Sequence, residues 1–216
     1  MHCGPENVKG LEINRYAAEL ARTSIWIGDI QWKRRNGFEA KEEPVLRPLD
    51  AIETRDALMT KRSDGSYEEA PWPAAEFIIG NPPFLGSKFF RKGRPARKGK
   101  PATKGLGDEY IERLYSVYDG RVRQSADLCN YWFLKSFFAL SQGCSSFGLV
   151  ATKSITKGTN NEILKRLASA PHTKIFNAWT NEPWVVDGAE VTRHFRGSRT
   201  DEIARTQFYT RERSQV

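Results

Sequence analysis

The run Phe77-Ile78-Ile79-Gly80-Asn81-Pro82-Pro83-Phe84 constrains this chain more than any other stretch. An apolar, strand-like segment stops at a glycine and meets two prolines at once. Proline fixes φ and lacks an amide hydrogen, and a residue before proline is driven to extended backbone, so no helix or ladder continues through Asn81 and Pro82. Their carbonyls are left to accept hydrogen bonds from elsewhere. Asn81 adds a side-chain carbonyl beside them, and Phe84 adds a flat aromatic face. Such a cluster suits a planar exocyclic amine. Two oxygens take both amino hydrogens and draw the nitrogen lone pair out of conjugation, while the ring holds the base from one side. The simpler alternative is a tight turn after a buried strand, with Phe84 tucked into the core.

Composition limits what can surround this run. A chain of 216 residues suits one domain with a core of its own. Its net charge of +8 and pI of about 9.5 permit a polyanionic partner. Cys3, Cys129 and Cys144 show no metal-ligand spacing, and an odd, sparse set points to reduced, buried thiols in a cytoplasm. His2, His172 and His194 are scattered, so no metal site is expected. The amino terminus has neither a basic start nor an apolar core of a signal, and no stretch is long enough to span a bilayer.

In chain order, Val8 to Ile13 reads as a strand ending in an acidic residue, Glu12. A helix follows, capped by Asn14, with Ala17, Leu20, Ala21, Ser24 and Ile25 on one face. An acidic residue at the carboxyl end of a strand in a nucleotide-binding α/β fold receives ribose hydroxyls; a solvated charge is the other reading of Glu12. Gly37 to Asp50 is a surface connection. Ala51 to Leu58 holds a short strand ending near Asp56, which suits an adenine amino group or an exposed loop equally. Thr60 to Pro73 reads as a loop.

After Phe84 the sequence turns basic. Lys88, Arg91, Lys92, Arg94, Arg97, Lys98, Lys100 and Lys104 occur with no acidic residue before Asp108, interleaved with glycine and proline. A mobile basic loop of this kind gives salt-sensitive binding to a phosphate backbone, or is a solvated linker. Helices are expected over Asp108 to Tyr118, from Ser125 to a stop at Gly143, and from Asn160 to Leu167 with Thr159 or Asn160 as cap. Strands are expected over Phe147 to Thr152 and Thr173 to Trp179. The alternation is that of an open, mainly parallel α/β sheet. Ligands bind such sheets at the strand carboxyl ends, where Glu12, Asp56 and Asn81 are all placed, which makes a shared crevice the expectation.

Asn81-Pro82-Pro83-Phe84 after an apolar strand resembles the catalytic motif of amino-group DNA methyltransferases, the adenine-N6 class above all. Together with Gly10 to Ala21, Ile25-Trp26-Ile27-Gly28, Ile30-Gln31-Trp32, Asp127 to Phe133, Gly148 to Thr152 and Glu182-Pro183-Trp184, it is similar to the methyltransferase domain of the MmeI-like restriction-modification enzymes over roughly residues 8 to 191. The resemblance implies a Rossmann-like class I fold that uses S-adenosylmethionine to methylate adenine N6 in double-stranded DNA, as part of a restriction-modification system. By motif, Glu12 would hold the cofactor ribose and Asp56 its adenine, with Ile13 and Ala57 as further cofactor-binding residues. Asp127 would line the cofactor side of the pocket. Asn81 with Pro82 would hold the target amine, Pro83 would complete the catalytic motif, and Phe84 would stack on an adenine flipped out of the duplex. Direct transfer from sulfonium to nitrogen needs no covalent intermediate, consistent with the absence of cysteine from the motif.

Two departures from the family pattern set further expectations. Only Met1 to Asn7 precede the first strand, where the family has a strand, a Gly-rich turn and a helix. After Val191 the chain is polar and basic, so residues 1–191 are expected as a partial catalytic domain and 192–216 as a divergent tail, without the last strands of the sheet. On that view the isolated chain binds the cofactor poorly and is weakly active or inactive, and a separately encoded amino-terminal or target-recognition segment would be its partner. A noncatalytic nucleic-acid-binding remnant, or a methyltransferase acting on RNA or a protein glutamine, are the alternatives; Phe84 and the basic loop favour DNA.

Overall fold

Local signals in the sequence settle the first elements of the amino-terminal half. The structure, a computed structural model, describes residues 4–38, 51–96, 102–171, 173–180, 185–186, 189–190 and 203–211. The chain divides into two units, Met1–Pro73 and Ala74–Val216. In the first, strand β1 (Gly10–Glu12) leads into helix α1 (Arg15–Arg35). The Asn14 side chain accepts from the Tyr16 and Ala17 amides at 2.9 and 3.1 Å, as the sequence predicts; such a cap stabilises a helix by about 1 kcal/mol. Lys33, Arg34 and Arg35 fill the last turn, where positive charge suits the helix dipole.

The packed face of α1 is turned from the expected one. Ala18 is fully buried, whereas Leu20 and Ser24 are exposed. Arg22 accounts for part of the change, since its guanidinium donates to the Ile52 carbonyl and so sits on the inner side at no cost in unmet hydrogen bonds. Strand β2 (Ile52–Thr54) runs parallel to β1, with Gly10 opposite Ile52 and Glu12 opposite Thr54.

The expected loop from Thr60 to Pro73 is corrected by the structure to an antiparallel hairpin of β3 (Met59–Lys61) and β4 (Tyr67–Glu69). Its turn is set by Asp64, whose Oδ1 accepts from the Ser66 amide at 2.8 Å, and by Gly65 at φ +88°. Arg62 and Glu68 pair across it at 2.7 Å.

The second unit is built on a four-stranded sheet in the order β5-β6-β10-β7. Strand β5 (Phe77–Gly80) is parallel to β6 (Ser146–Thr152), and β10 (Ile203–Arg211) runs antiparallel to both β6 and β7 (Thr173–Thr180). Hence β5, β6 and β7 share one direction. Two-residue strands β8 (Val185–Val186) and β9 (Ala189–Glu190) pair with each other. The fold is mixed α/β.

Strand β10 corrects the expectation of a tail without further strands. Its polar residues hid it, but Ile203, Phe208 and Tyr209 favour extended backbone, and pairing on both edges satisfies its amides and carbonyls.

Helices α2 (Asp108–Val117), α3 (Cys129–Ser141) and α4 (Asn161–Ser169) follow the predicted apolar spacing. Ile111 and Leu114 of α2 are fully buried. Helix α3 starts later than Ser125 because Ser125 to Leu128 are used for tertiary hydrogen bonds. Its Tyr131, Phe133 and Leu134 lie in the core, with the Phe133 ring edge-on to Phe147 at 6.4 Å and Tyr131 edge-on to Tyr118 at 5.0 Å. Each side chain so buried contributes about 1.5–3 kcal/mol, so α3 is the covering layer of this sheet. Gly143 closes the segment at φ +102°.

The thiols agree with this packing. Burial, with a smaller contribution from the nearby Asp127 charge, pushes Cys129 from 9.0 up to about 12, and burial raises Cys144. Both are therefore expected to be inert to iodoacetamide at pH 8 in the folded chain and to react on unfolding, which peptide mass spectrometry checks. Because the folded value is raised, the stability that Cys129 contributes is full below about pH 9 and is lost as pH climbs toward 12.

Candidate functional site

Glu12 and Asp56 reach one end of the first unit because β1 and β2 are parallel neighbours. Glu12 closes β1, Asp56 lies two residues past the end of β2, and the Arg55 amide donates to the Glu12 carbonyl at 3.1 Å. Glu12 Oε1 accepts from the Asn14 amide at 2.8 Å, and Asp56 Oδ1 from the Leu58 amide at 2.7 Å. These bonds hold each carboxylate in place. Among the described residues nothing donates to the second oxygen of either. Ile13 is exposed beside Glu12, and the Ala57 carbonyl accepts from Trp72 Nε1 at 2.7 Å. The four residues named from the sequence are thus together at one strand end.

In the second unit the chain leaves β5 at Gly80 and enters the Asn81–Phe84 turn. Pro82 is buried and anchors it, while Asn81 and Pro83 are exposed. Among the described residues none donates a hydrogen bond to the Asn81 side chain or to the carbonyls of Asn81 and Pro82. Phe84 is 42% exposed, so its ring is not spent on the core.

The segment just past the turn is tied down. The Leu128 amide donates to the Leu85 carbonyl at 2.9 Å, Ser87 Oγ to the Ser125 carbonyl at 2.9 Å, and the Ser87 amide to Asp127 Oδ1 at 3.2 Å. Asp127 Oδ2 accepts from Ser154 Oγ at 2.7 Å and from Asn160 Nδ2 at 2.9 Å. Asn160 Oδ1 accepts in return from the Asp127 amide at 2.7 Å and from Asn130 Nδ2 at 2.8 Å. Asn160 therefore does not cap α4 with its side chain, and Thr159 Oγ1 bonds Ser125 instead, so the expected cap from Thr159 or Asn160 is corrected.

The basic segment is fastened at its base rather than mobile there. Arg94 and Thr103 exchange two backbone hydrogen bonds of 2.8 Å, and the Leu106 and Gly107 amides return to the Phe90 and Arg91 carbonyls. A Cβ at Gly93, where φ is +77°, would collide with the Thr103 carbonyl, and one at Gly105 with the Arg91 carbonyl. Arg91 is held by Asp108 at 2.8 Å and by Glu112, which keep its guanidinium firmly charged. Lys88 Nζ lies 5.0 Å over the Phe89 ring. Lys92 and Lys104 are exposed and Arg94 is half-buried. Arg97, Lys98 and Lys100 lie outside the described residues.

The model of the MmeI DNA-methyltransferase domain matches residues 2–193. The chain belongs to this family. As a member of the MmeI methyltransferase-domain family it is also similar to DNA methyltransferase A of Bacillus subtilis (strain 168), at 25% identity over 159 residues. That match covers 72% of this chain and 16% of the relative, so the chain spans about a sixth of the length of that protein. No solved structure matches it.

Sequence reasoning missed the hydrogen-bond network that joins Ser87, Asn130, Ser154 and Asn160 to Asp127 beside the turn. Asp127 meets Ser87, Ser154 and Asn160 across 40, 27 and 33 residues of chain, and no local pattern reports such pairings. Their one shared trait is a short polar side chain. Among the described residues no group of His, Cys, Asp or Glu could hold a metal ion, and no helix is long and apolar enough to cross a membrane.

Proposed function

We propose that this methyltransferase domain transfers a methyl group from S-adenosylmethionine to N6 of adenine in double-stranded DNA, as the modification part of a restriction-modification system on a Rossmann-like sheet. The observation that carries the reading is the turn after β5, with an exposed Asn81 amide, two carbonyls without described donors and a half-open Phe84 ring. Asn81 Oδ1 and the Pro82 carbonyl take the two amino hydrogens, which localises the nitrogen lone pair for in-line attack. Proline-fixed backbone limits rotation of the Pro82 carbonyl, so little backbone reorganisation is needed at the moment of reaction. Phe84 stacks on the extruded base; such a contact stabilises by about 1–3 kcal/mol.

The first unit fits the cofactor. Glu12 and Asp56 each offer a carboxylate oxygen that no described residue uses, at adjacent parallel strand ends, which suits ribose hydroxyls and an adenine amine. S-Adenosylmethionine, when bound, supplies an electrophilic methyl on a sulfonium. After transfer the amine carries an extra proton, and the Asn81 amide is too weak a base to keep it, so it passes to water.

Phosphate contact falls to Lys92 and Lys104, with Arg91 fastening the loop to α2. Lys92→Ala lowers the slope of log affinity against log salt by about one, the loss of one phosphate contact. Arg91→Ala changes that slope by less than half as much, because its charge is already taken by Asp108 and Glu112. Fluorescence anisotropy of labelled duplex across a salt series measures both.

The function is tested in prolonged incubations, at chain and cofactor concentrations high enough to reveal the slow transfer expected of it, with S-adenosylmethionine labelled on the methyl and, separately, methylation-free duplex DNA, RNA and protein. Label in DNA supports the reading. Label in RNA or protein alone, or none with salt-sensitive DNA binding retained, overturns it.

A further inference from the structure

We propose that Asp127 is a positioning residue, which sets the Asn81–Phe84 turn by fastening it to α3 and to the segment that leaves β6; this rests on the methyltransferase reading above. The strands β5 and β6 are parallel neighbours, so the turns that leave them at Gly80 and Thr152 emerge at the same end of the sheet. One half-buried carboxylate joins the two. Its Oδ1 takes the Ser87 amide, three residues past Phe84, and its Oδ2 takes Ser154 and Asn160 from beyond β6. The backbone amide of the same residue binds Asn160, and the next amide, Leu128, binds Leu85.

The bonding also says what Asp127 is not free to do. A carboxylate has about four acceptor directions, and described donors occupy three of them. The family motif places this residue beside the cofactor, but most of its acceptor capacity is already directed into the protein. Its effect therefore passes through Leu85 and Ser87 to the turn, whose acceptors have no described bonds of their own to fix them.

Polarity of the pair gives a test that separates positioning from contact. In Asp127→Asn an amide hydrogen faces either the Asn160 amide or the Ser87 N–H, so a donor meets a donor. Exchanging the pair, Asp127→Asn with Asn160→Asp, reverses the bond between them. The amide introduced at position 127 then donates to the carboxylate introduced at position 160. That carboxylate still accepts from the backbone amide of residue 127 and from Asn130. Ser154 Oγ can turn its hydrogen to Thr152 Oγ1, 2.6 Å away. The charge has moved from one member of the pair to the other while the network is kept.

Steady-state methyl transfer to methylation-free duplex DNA is measured for the native chain and these variants, with hydrogen exchange at the Ser87 amide. Asp127→Asn is expected to lower kcat on the order of ten- to a hundred-fold, with cofactor KM changed by less than about two-fold. Ser87 exchange should be about ten-fold faster. The paired exchange should recover both to within about three-fold of native. If Asp127→Asn does not fold, Ser154→Ala, which removes one donor to Oδ2, carries the test through a kcat loss of about three- to ten-fold at constant KM. A raised cofactor KM with intact kcat, or no recovery in the paired exchange, overturns positioning. No transfer by the native chain would instead defeat the methyltransferase reading, and the proposal with it, whereas an active native chain and an indifferent Asp127→Asn defeat the proposal alone.

Discussion

Asn81→Ala lowers kcat for methyl transfer on the order of a hundred- to a thousand-fold, while the melting temperature and cofactor affinity stay near native. The expectation comes from where the side chain is. Asn81 is exposed and has no described hydrogen bond, so its truncation removes nothing that the fold uses. On the proposed reading it does remove one of two acceptors for the target amine, which bind more tightly as positive charge develops on nitrogen. Losing a group whose partner changes charge in the transition state acts on kcat more than on binding. Thermal denaturation, calorimetry with the cofactor and a transfer assay on one preparation check all three parts. A variant that unfolds, or that loses cofactor affinity in step with rate, would place Asn81 in the structure instead of in the reaction.

Gly93→Ala opens the base of the basic loop at a cost of about 2–4 kcal/mol, from left-handed backbone and steric overlap together. Gly93 has φ +77°, and the added Cβ overlaps the Thr103 carbonyl, an atom held by the hydrogen bond from Arg94. A backbone carbonyl cannot swing aside as a long side chain can. The Arg94–Thr103 pair must separate, and Gly105, packed against the Arg91 and Gly93 backbone, must shift with it. Hydrogen exchange at the Arg94 and Thr103 amides should rise on the order of a hundred-fold while α3 amides keep their protection. DNA affinity falls because the lysines flanking the closure are no longer presented together. Gly120→Ala is the control, since Gly120 also has positive φ but open space around it, and it should leave the loop closed.

Local chemistry was legible in the sequence and long-range partnership was not. Asn14 as a cap, the stop of β5 at Gly80 and the burial of Ile111 and Leu114 all follow from residues within a turn or two of one another. So does the position of Glu12 and Asp56 at strand ends. The β3–β4 hairpin was hidden because Lys61, Arg62, Glu68 and Glu69 suppress any apolar alternation, although the hairpin is held by its backbone ladder and the Arg62–Glu68 pair. Strand β10 was hidden for a related reason: pairing with β6 and β7, not its own hydrophobicity, makes Ile203–Arg211 extended. In the site, sequence supplied Asn81 and Phe84 but not the fastening of the turn, because Ser87, Ser154 and Asn160 become partners of Asp127 only once the sheet is formed. The basic run read as a mobile loop, since charge and glycine content do not reveal two glycines packed backbone to backbone.

The central claim is that the turn after β5 presents acceptors to an exocyclic amine of a DNA base, and that the base is adenine. Mass spectrometry of nucleosides from methylation-free DNA treated with the chain and S-adenosylmethionine tests it most directly. The account expects N6-methyladenine to accumulate with native protein and to fall on the order of a hundred-fold or more with Asn81→Ala. N4-methylcytosine in its place, C5-methylcytosine, or equal N6-methyladenine from both proteins would contradict it.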